Sequence, residues 1–310
     1  MIMYEPFVAP RSEYLDVRGL RHHFRHWGDS GAPVLLALHG WMDSSASFQF
    51  VADRLAGDFH VVAPDWRGFG RTQWGGGDCY EVGEYLGDLD AFCRHLSPSS
   101  PVLLLGHSMG GNMAMLYAGV RPERVAAVVN LEGMGLSAQP ADAAPGRLRQ
   151  WMDQIVAGAR LGDYDSLDAY AQRLMRDNSR LDAAKALFLA RENGCAEGER
   201  WRLRADPVHK IVNRVLYRLE EVLACWREIT APVLWVEAAD SAVRSRALAE
   251  PGYEDRRACV ASLQRAMVAD AGHMLHQDRP AEVAQLVADF LARVAPVPGG
   301  RPTMGTWNPS

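Results

Sequence analysis

The chain of 310 residues is 48% hydrophobic and 23% charged, with a formal net charge of −5, and is long enough to bury one large core or a core plus a smaller insert. Its mild acidity gives no reason to expect nucleic acid or an anionic membrane surface as a partner. Five cysteines, at 79, 93, 195, 225 and 259, are odd in number and never spaced C-x-x-C, which suits free thiols in a reducing compartment better than a disulfide framework or a zinc site. Residues 1–6 carry neither a basic segment nor an apolar one of the signal-peptide kind, so a cytoplasmic location is expected.

In chain order, residues 13–17 and 20–27 read as two strands joined across Arg18-Gly19, a hairpin at a sheet edge. His22, His23 and His26 fall here; with no carboxylate or cysteine at ligand spacing they are expected to be exposed strand histidines rather than a metal cluster. Residues 33–38 form a continuous apolar run of the buried-strand type, ending at His39-Gly40-Trp41-Met42-Asp43. Asp43 or Ser44 can cap a helix starting near Ser45. Residues 59–63 make the next strand, leading into Asp65-Trp66-Arg67-Gly68-Phe69-Gly70. These glycines do not complete G-x-G-x-x-G, because Gln73 stands at the third position, and no dinucleotide site is expected. Residues 81–96 are helical in period.

Pro101 to Val120 contains no charge and is long enough to span a bilayer. The Gly, His, Ser and Asn within it argue instead for strand, turn and helix: an apolar run 102–105, then Gly106-His107-Ser108-Met109-Gly110. This is G-x-S-x-G, in which a strained turn lifts a serine hydroxyl over the sheet edge. A Cβ at Gly106 or Gly110 would collide with the elements that pass close at so sharp a turn. Residues 125–131 form a further β-branched strand leading into Glu132-Gly133. Alternating strands and helices up to this point imply a parallel sheet covered on both faces.

The alternation breaks after residue 133. Helical segments are expected at 147–161, 166–177, 182–193 and 212–226, with no strand of the preceding type. Strands resume at 232–236 and 266–269, and a last helix runs over about 280–294, with Pro280 suited to its first position. The tail 296–310 is rich in Pro and Gly and is expected to be poorly ordered. The fold class is therefore α/β: a doubly wound, mostly parallel sheet with an inserted all-helical cap. The core comprises 1–132 and 229–295, and the insert 133–228.

At this point the chain resembles the α/β-hydrolase fold superfamily, over about residues 12–294. His39-Gly40-Trp41 looks like that family's oxyanion loop, Asp65 to Gly70 like its D-x-R-G-x-G turn, Gly106 to Gly110 like its nucleophile elbow, and Ala271-Gly272-His273-Met274 like the loop supplying its histidine. The block 133–228 corresponds to its cap. The resemblance implies Ser108 as nucleophile and His273 as base, because a serine hydroxyl is a weak nucleophile until a base takes its proton. Two acids compete for the third role, that of orienting the imidazole and stabilising imidazolium. Asp240 lies a few residues past the strand 233–236, where many relatives keep their acid, although Glu237 stands where those relatives often have glycine. Glu132 directly ends the preceding strand, a position used by another branch of the superfamily. The oxyanion hole falls to the backbone N–H of Met109 and of Trp41 or Met42. His39 and His107 are expected to hydrogen-bond locally, and His276 to stand behind the site.

Serine rather than aspartate at the elbow points to acyl chemistry, since halide displacement and epoxide opening in this fold need a carboxylate. The expectation is a hydrolase of a small to medium, largely apolar carboxylic ester or thioester, working without metal or organic cofactor. A small-molecule acyl substrate is the expected partner, in a monomer or homodimer with no nucleic acid and no membrane. Lactone hydrolysis, C–C bond hydrolysis and perhydrolysis use the same constellation and stay open, as does a small-molecule receptor or carrier with little turnover. Trp151, Tyr164, Tyr170, Phe188, Trp201, Tyr217 and Trp226 could wall an apolar pocket, but at helical spacing most are expected to be packing inside the cap.

Overall fold

A computed structural model describes residues 2–294; the tail 296–310 lies outside the described residues. Eight strands form the main sheet: β1 (Arg11–Val17), β2 (Leu20–Trp27), β3 (Val34–Leu38), β4 (His60–Pro64), β5 (Val102–His107), β6 (Val125–Leu131), and, beyond the insert and its three short strands, β10 (Val233–Ala238) and β11 (Leu263–Val268). Their spatial order is β1-β2-β4-β3-β5-β6-β10-β11. The β1–β2 and β2–β4 pairs are antiparallel, and every later pair is parallel. The continuous apolar runs of β3 to β6 are explained by this arrangement: both faces are covered. Leu36, Leu38, Val62, Leu104 and Val128 point into one core layer, and Leu35, Ala37, Val61, Leu105 and Val129 into the other, as the two-residue side-chain period requires.

The histidines of β2 depart from expectation. His22, His23 and His26 are buried, because β2 is not an edge strand but is clasped between β1 and β4. His23 Nδ1 lies 2.7 Å from Asp65 Oδ2, His22 packs edge-on against Phe92, and His26 Nδ1 lies 3.0 Å from His60 Nε2. Burial, with His60 and Arg11 nearby, pushes His26 down to about 4.

Between β6 and β10 the chain forms an insert that is largely, but not wholly, helical. Its helices are Ala144–Ala157, Leu167–Asp177, Ala183–Asn193 and Leu219–Arg227. The unexpected part is a small antiparallel sheet of β7 (Asp163–Tyr164), β8 (Gly194–Glu197) and β9 (Arg200–Leu203), in the order β7-β9-β8. The β8–β9 hairpin turns at Gly198-Glu199, with Gly198 at φ +58°, the conformation a two-residue turn demands and glycine supplies. The expected helix 212–226 begins only at Leu219. The stretch before it runs as an irregular strap whose polar groups find other partners: Val212 N–H donates to Gln154 Oε1, and the Asn213 side-chain amide donates through Nδ2 to Tyr80 O.

The insert is tied to the sheet by specific contacts. Glu192 accepts Arg25 at 2.6 Å and Arg71 at 3.1 Å. Ser44 Oγ bonds Asn193, and His209 stacks flat on Phe69 and Tyr80. Tyr170, Phe188 and Leu189 form a separate apolar cluster with Phe50. Among the described residues no helix is long and apolar enough to cross a membrane.

Candidate active site

The site assembles where strands end on one rim of the sheet. Register brings Leu38 of β3 opposite Gly106 of β5, and His107 opposite Leu131 of β6. The segments after β3, β5 and β6 therefore emerge side by side, at the crevice where open α/β sheets bind ligands. Ser108 occupies the turn between β5 and the helix Met109–Val120 at φ +52°, ψ −114°, a strained conformation for a residue with a side chain. The turn is tight enough that a Cβ on Gly110 would lie 2.0 Å from Leu38 O, and one on Gly106 2.4 Å from Gly110 O. Met42 and Glu132 also have positive φ, so strain concentrates at this rim.

His273 Nε2 lies 2.9 Å from Ser108 Oγ, and its Nδ1 lies 3.2 Å from Glu132 Oε2. Glu132 is fully buried and fixed from two other directions: Oε1 accepts Ala238 N–H at 2.8 Å, and Oε2 accepts the Ser241 hydroxyl. Asp240, the other sequence-derived acid, is not brought to the imidazole. Its carboxylate faces outward, half exposed, and accepts Arg180 Nη2 at 2.7 Å. The reason lies at the end of β10: Glu237 is buried against Arg257 and Arg265, and the space beside His273 is filled from β6 instead. Ser241 was not anticipated; a hydroxyl next to Asp240 carries no sequence signal of its own.

Around this chain of groups the remaining sequence-derived residues fall as follows. The N–H of Met109 is in the first turn of a helix, where backbone donors lack intrahelical partners. Gly40 packs so closely that a Cβ there would meet His107 Nδ1 at 3.0 Å and Ser108 Cβ at 3.4 Å, so the loop after β3 approaches the serine at Gly40; Trp41 is half exposed. His39 is structural: Nε2 accepts Trp66 N–H, and Nδ1 donates to Gly40 O. His107 Nε2–H donates to His273 O at 2.8 Å, holding the histidine loop. His276 Nε2 lies 2.6 Å from Ser47 Oγ.

Two cavities meet at Trp41 and Ser108. The larger, of about 700 Å³, is lined chiefly by apolar side chains, among them Met113, Leu116, Val222, Tyr217 and Trp226. The smaller, of about 310 Å³, is bounded by Asp43, His107, Asn193, Tyr170 and His273. Of the seven insert aromatics, Tyr217, Trp226 and Tyr170 reach a cavity wall, while Phe188 packs in the insert's own cluster. A hydroxyl, an imidazole and a buried carboxylate in series, next to free backbone donors, can activate an alcohol and stabilise an oxyanion.

Residues 33–280 match the family model described as alpha/beta hydrolase fold. The chain belongs to the alpha/beta hydrolase fold family. As such it is 27% identical over 279 residues to a serine hydrolase-like protein of Danio rerio, an alignment covering 87% of this chain and 85% of that one. It is 27% identical over 284 residues to lipase LipV of Mycobacterium tuberculosis, covering 87% and 97%. Among solved structures it is similar to the thioesterase domain from the curacin biosynthetic pathway, at TM-score 0.79 and 25% identity, covering 90% of this chain and 99% of that one. A hypothetical protein of Pseudomonas aeruginosa PAO1 matches at TM-score 0.82 and 25% identity, covering 91% and 99%. The family match takes in every group described above, from β3 through the histidine loop.

Proposed function

We propose that the protein is a serine hydrolase that cleaves esters or thioesters of largely apolar acyl groups. The observation that carries this reading is the approach of Ser108 Oγ to His273 Nε2, 2.9 Å apart, with Glu132 on the far ring nitrogen, at the mouth of an apolar cavity of about 700 Å³. Ser108 Oγ attacks the substrate carbonyl carbon while His273 Nε2 takes the hydroxyl proton. Glu132 orients the ring through Nδ1–H and stabilises the imidazolium. The oxyanion is received by the backbone N–H of Met109 together with that of Trp41 or Met42. Collapse breaks the carbonyl–oxygen or carbonyl–sulfur bond, and His273 returns its proton to the leaving alcohol or thiol. Water, deprotonated by the same imidazole, then releases the acid from Ser108. The insert 133–228 acts as a cap, since Tyr217, Val222 and Trp226 form one wall of the larger cavity, which we assign to the acyl chain. The names of the relatives, a lipase and a thioesterase domain among them, support the same bond class.

The test is a panel of p-nitrophenyl esters and acyl thioesters of graded chain length, run beside Ser108→Ala and with a fluorophosphonate probe. Turnover that vanishes in Ser108→Ala, with the probe attached at Ser108, is the expected result. Labelling at Ser108 without turnover of any ester or thioester would overturn the reading in favour of a ligand-binding protein.

A further inference from the structure

Behind the serine lies a second cluster that the acyl chemistry does not use. Asp43 Oδ2, His107 Nδ1 and His276 Nδ1 are buried, and none has a hydrogen-bond partner among the described residues. These three atoms all lie within 4.8 Å of one another. Three buried polar atoms left unpaired around one point carry a desolvation cost that a common ligand would offset.

The hydrogen bonds around them say what kind of ligand fits. His107 Nε2 faces the carbonyl of His273 at 2.8 Å; a carbonyl only accepts, so Nε2 carries the proton and Nδ1 presents a lone pair. His276 Nε2 faces Ser47 Oγ at 2.6 Å, and Gln277 Nε2 donates to that same hydroxyl at 3.0 Å. Ser47 Oγ can accept a second bond, and in the tautomer with Nε2–H donating to it the Nδ1 of His276 also presents a lone pair. Asp43 uses its other oxygen, Oδ1, to accept Ser44 N–H at 2.9 Å and Asn193 Nδ2 at 3.1 Å. Every member is thus oriented by a partner on its far side, the arrangement that fixes tautomer and aim in metal-binding histidines and carboxylates.

We propose that Asp43, His107 and His276 form a binding site for a divalent transition-metal ion of the zinc class. Two imidazoles and one carboxylate are a donor set that such ions prefer, at about 2.0–2.2 Å from the metal. Three atoms within 4.8 Å of one another leave a point no more than about 2.8 Å from each, so binding requires each to draw in by less than about 1 Å. The smaller cavity is bounded by two of the three residues, Asp43 and His107. The rings of His107 and His273 are 4.9 Å apart, so an ion here opposes imidazolium formation at His273 and inhibits turnover. That consequence, unlike the site itself, rests on the acyl-transfer reading above.

The test reads binding without activity. Chelator-treated full-length protein is titrated with Co²⁺, followed by its visible d–d absorption, and with Zn²⁺ by calorimetry. One saturable equivalent is expected. Asp43→Asn and His276→Gln should each weaken it by at least the 10- to 100-fold that even an outer partner of a metal site typically supplies. His273→Ala should stay within about threefold, which distinguishes this site from an ion seated on the serine and its base. No saturable binding, undiminished binding in Asp43→Asn and His276→Gln, or loss in His273→Ala would each overturn the proposal. Should either ligand variant fail to fold, anomalous diffraction from zinc-soaked crystals of the unmodified chain decides. A peak bounded by the three atoms supports the site; a peak elsewhere, or none, refutes it. Inhibition by Zn²⁺ is then measured separately, so that failure of the hydrolase reading leaves the binding result standing.

Discussion

Exchanging Glu132 for Gln keeps the shape of the side chain and removes its charge. In the protein both carboxylate oxygens accept: Oε1 from Ala238 N–H, Oε2 from Ser241 and from the side of His273 Nδ1 at 3.2 Å. An amide must turn its NH₂ toward one of these donors, so one contact becomes donor against donor. The imidazolium also loses its counter-charge. At 3.2 Å and an effective dielectric constant of about 20, that attraction is about 5 kcal/mol, somewhat less because the His273 side chain is 27% exposed. At about 1.4 kcal/mol per factor of ten, Glu132→Gln should lower kcat about a thousand- to ten-thousand-fold, in line with acid-to-amide changes in such triads. Asp240→Asn removes an ion pair whose partners are 38% and 50% exposed, worth at most about 1 kcal/mol, and should leave turnover within a few-fold. The assay is kcat on the best ester of the panel, with circular dichroism to show that each variant is folded. A collapse of kcat in Asp240→Asn, with Glu132→Gln nearly unaffected, would refute the argument.

Lengthening the acyl chain by one methylene should raise kcat/KM roughly fourfold, from about 0.8 kcal/mol per buried CH₂, until the larger cavity is filled; Val222→Trp, at a buried position in its wall, should end the rise several carbons sooner. Gly110→Ala places a Cβ where Leu38 O now stands 2.0 Å away, and should lower stability by about 3 kcal/mol or more, read as a shift of the urea midpoint at unchanged slope. Arg67 makes paired bonds to buried Asp88 at 2.6 and 2.7 Å and a third to Glu84. Arg67→Met leaves that carboxylate partly uncompensated, and should cost about 3–5 kcal/mol by the same measurement. Burial pushes the Cys93 thiol up to about 12, so in native protein it should resist iodoacetamide at pH 8, as peptide mass mapping would show; rapid alkylation there would mean that the core around the helix Val82–Leu96 opens.

Local chemistry made the sheet legible from the sequence. Short continuous apolar runs bounded by turn residues fit strands covered on both faces, and β3 to β6 lie within two residues of where those runs predict them. The hairpin β8–β9 was hidden for the opposite reason. Cys195, Ala196, Arg200 and Trp201 show neither alternation nor an apolar run, and the pair is held by register with β7 and by Gly198. The histidines of β2 read as exposed because burial is a tertiary property: His23 is covered only once Asp65, forty-two residues later, reaches it.

The site divides along the same line. Ser108 and the glycines that flank it are readable because backbone geometry restricts which residues can stand there, and a local restriction leaves a local pattern. His273 is marked by its place after the last strand. The proposed acid, Glu132, is constrained by neither. Any carboxylate able to reach Nδ1 of the imidazole meets the chemical need, and the ends of β6 and β10 converge on that point because Leu131 of β6 pairs with Val236 of β10. Which end supplies the acid depends on what the other end is doing. Glu237, where the turn was expected to begin, instead continues β10 and is drawn into an ion pair with Arg257 at 2.8 Å, and Asp240 faces Arg180 of the insert at the surface. Glu132, at φ +59°, is aimed across the strand ends by Ala238 N–H and Ser241 Oγ. The departure from glycine at position 237 is thus a readable sign that the end of β10 is built differently.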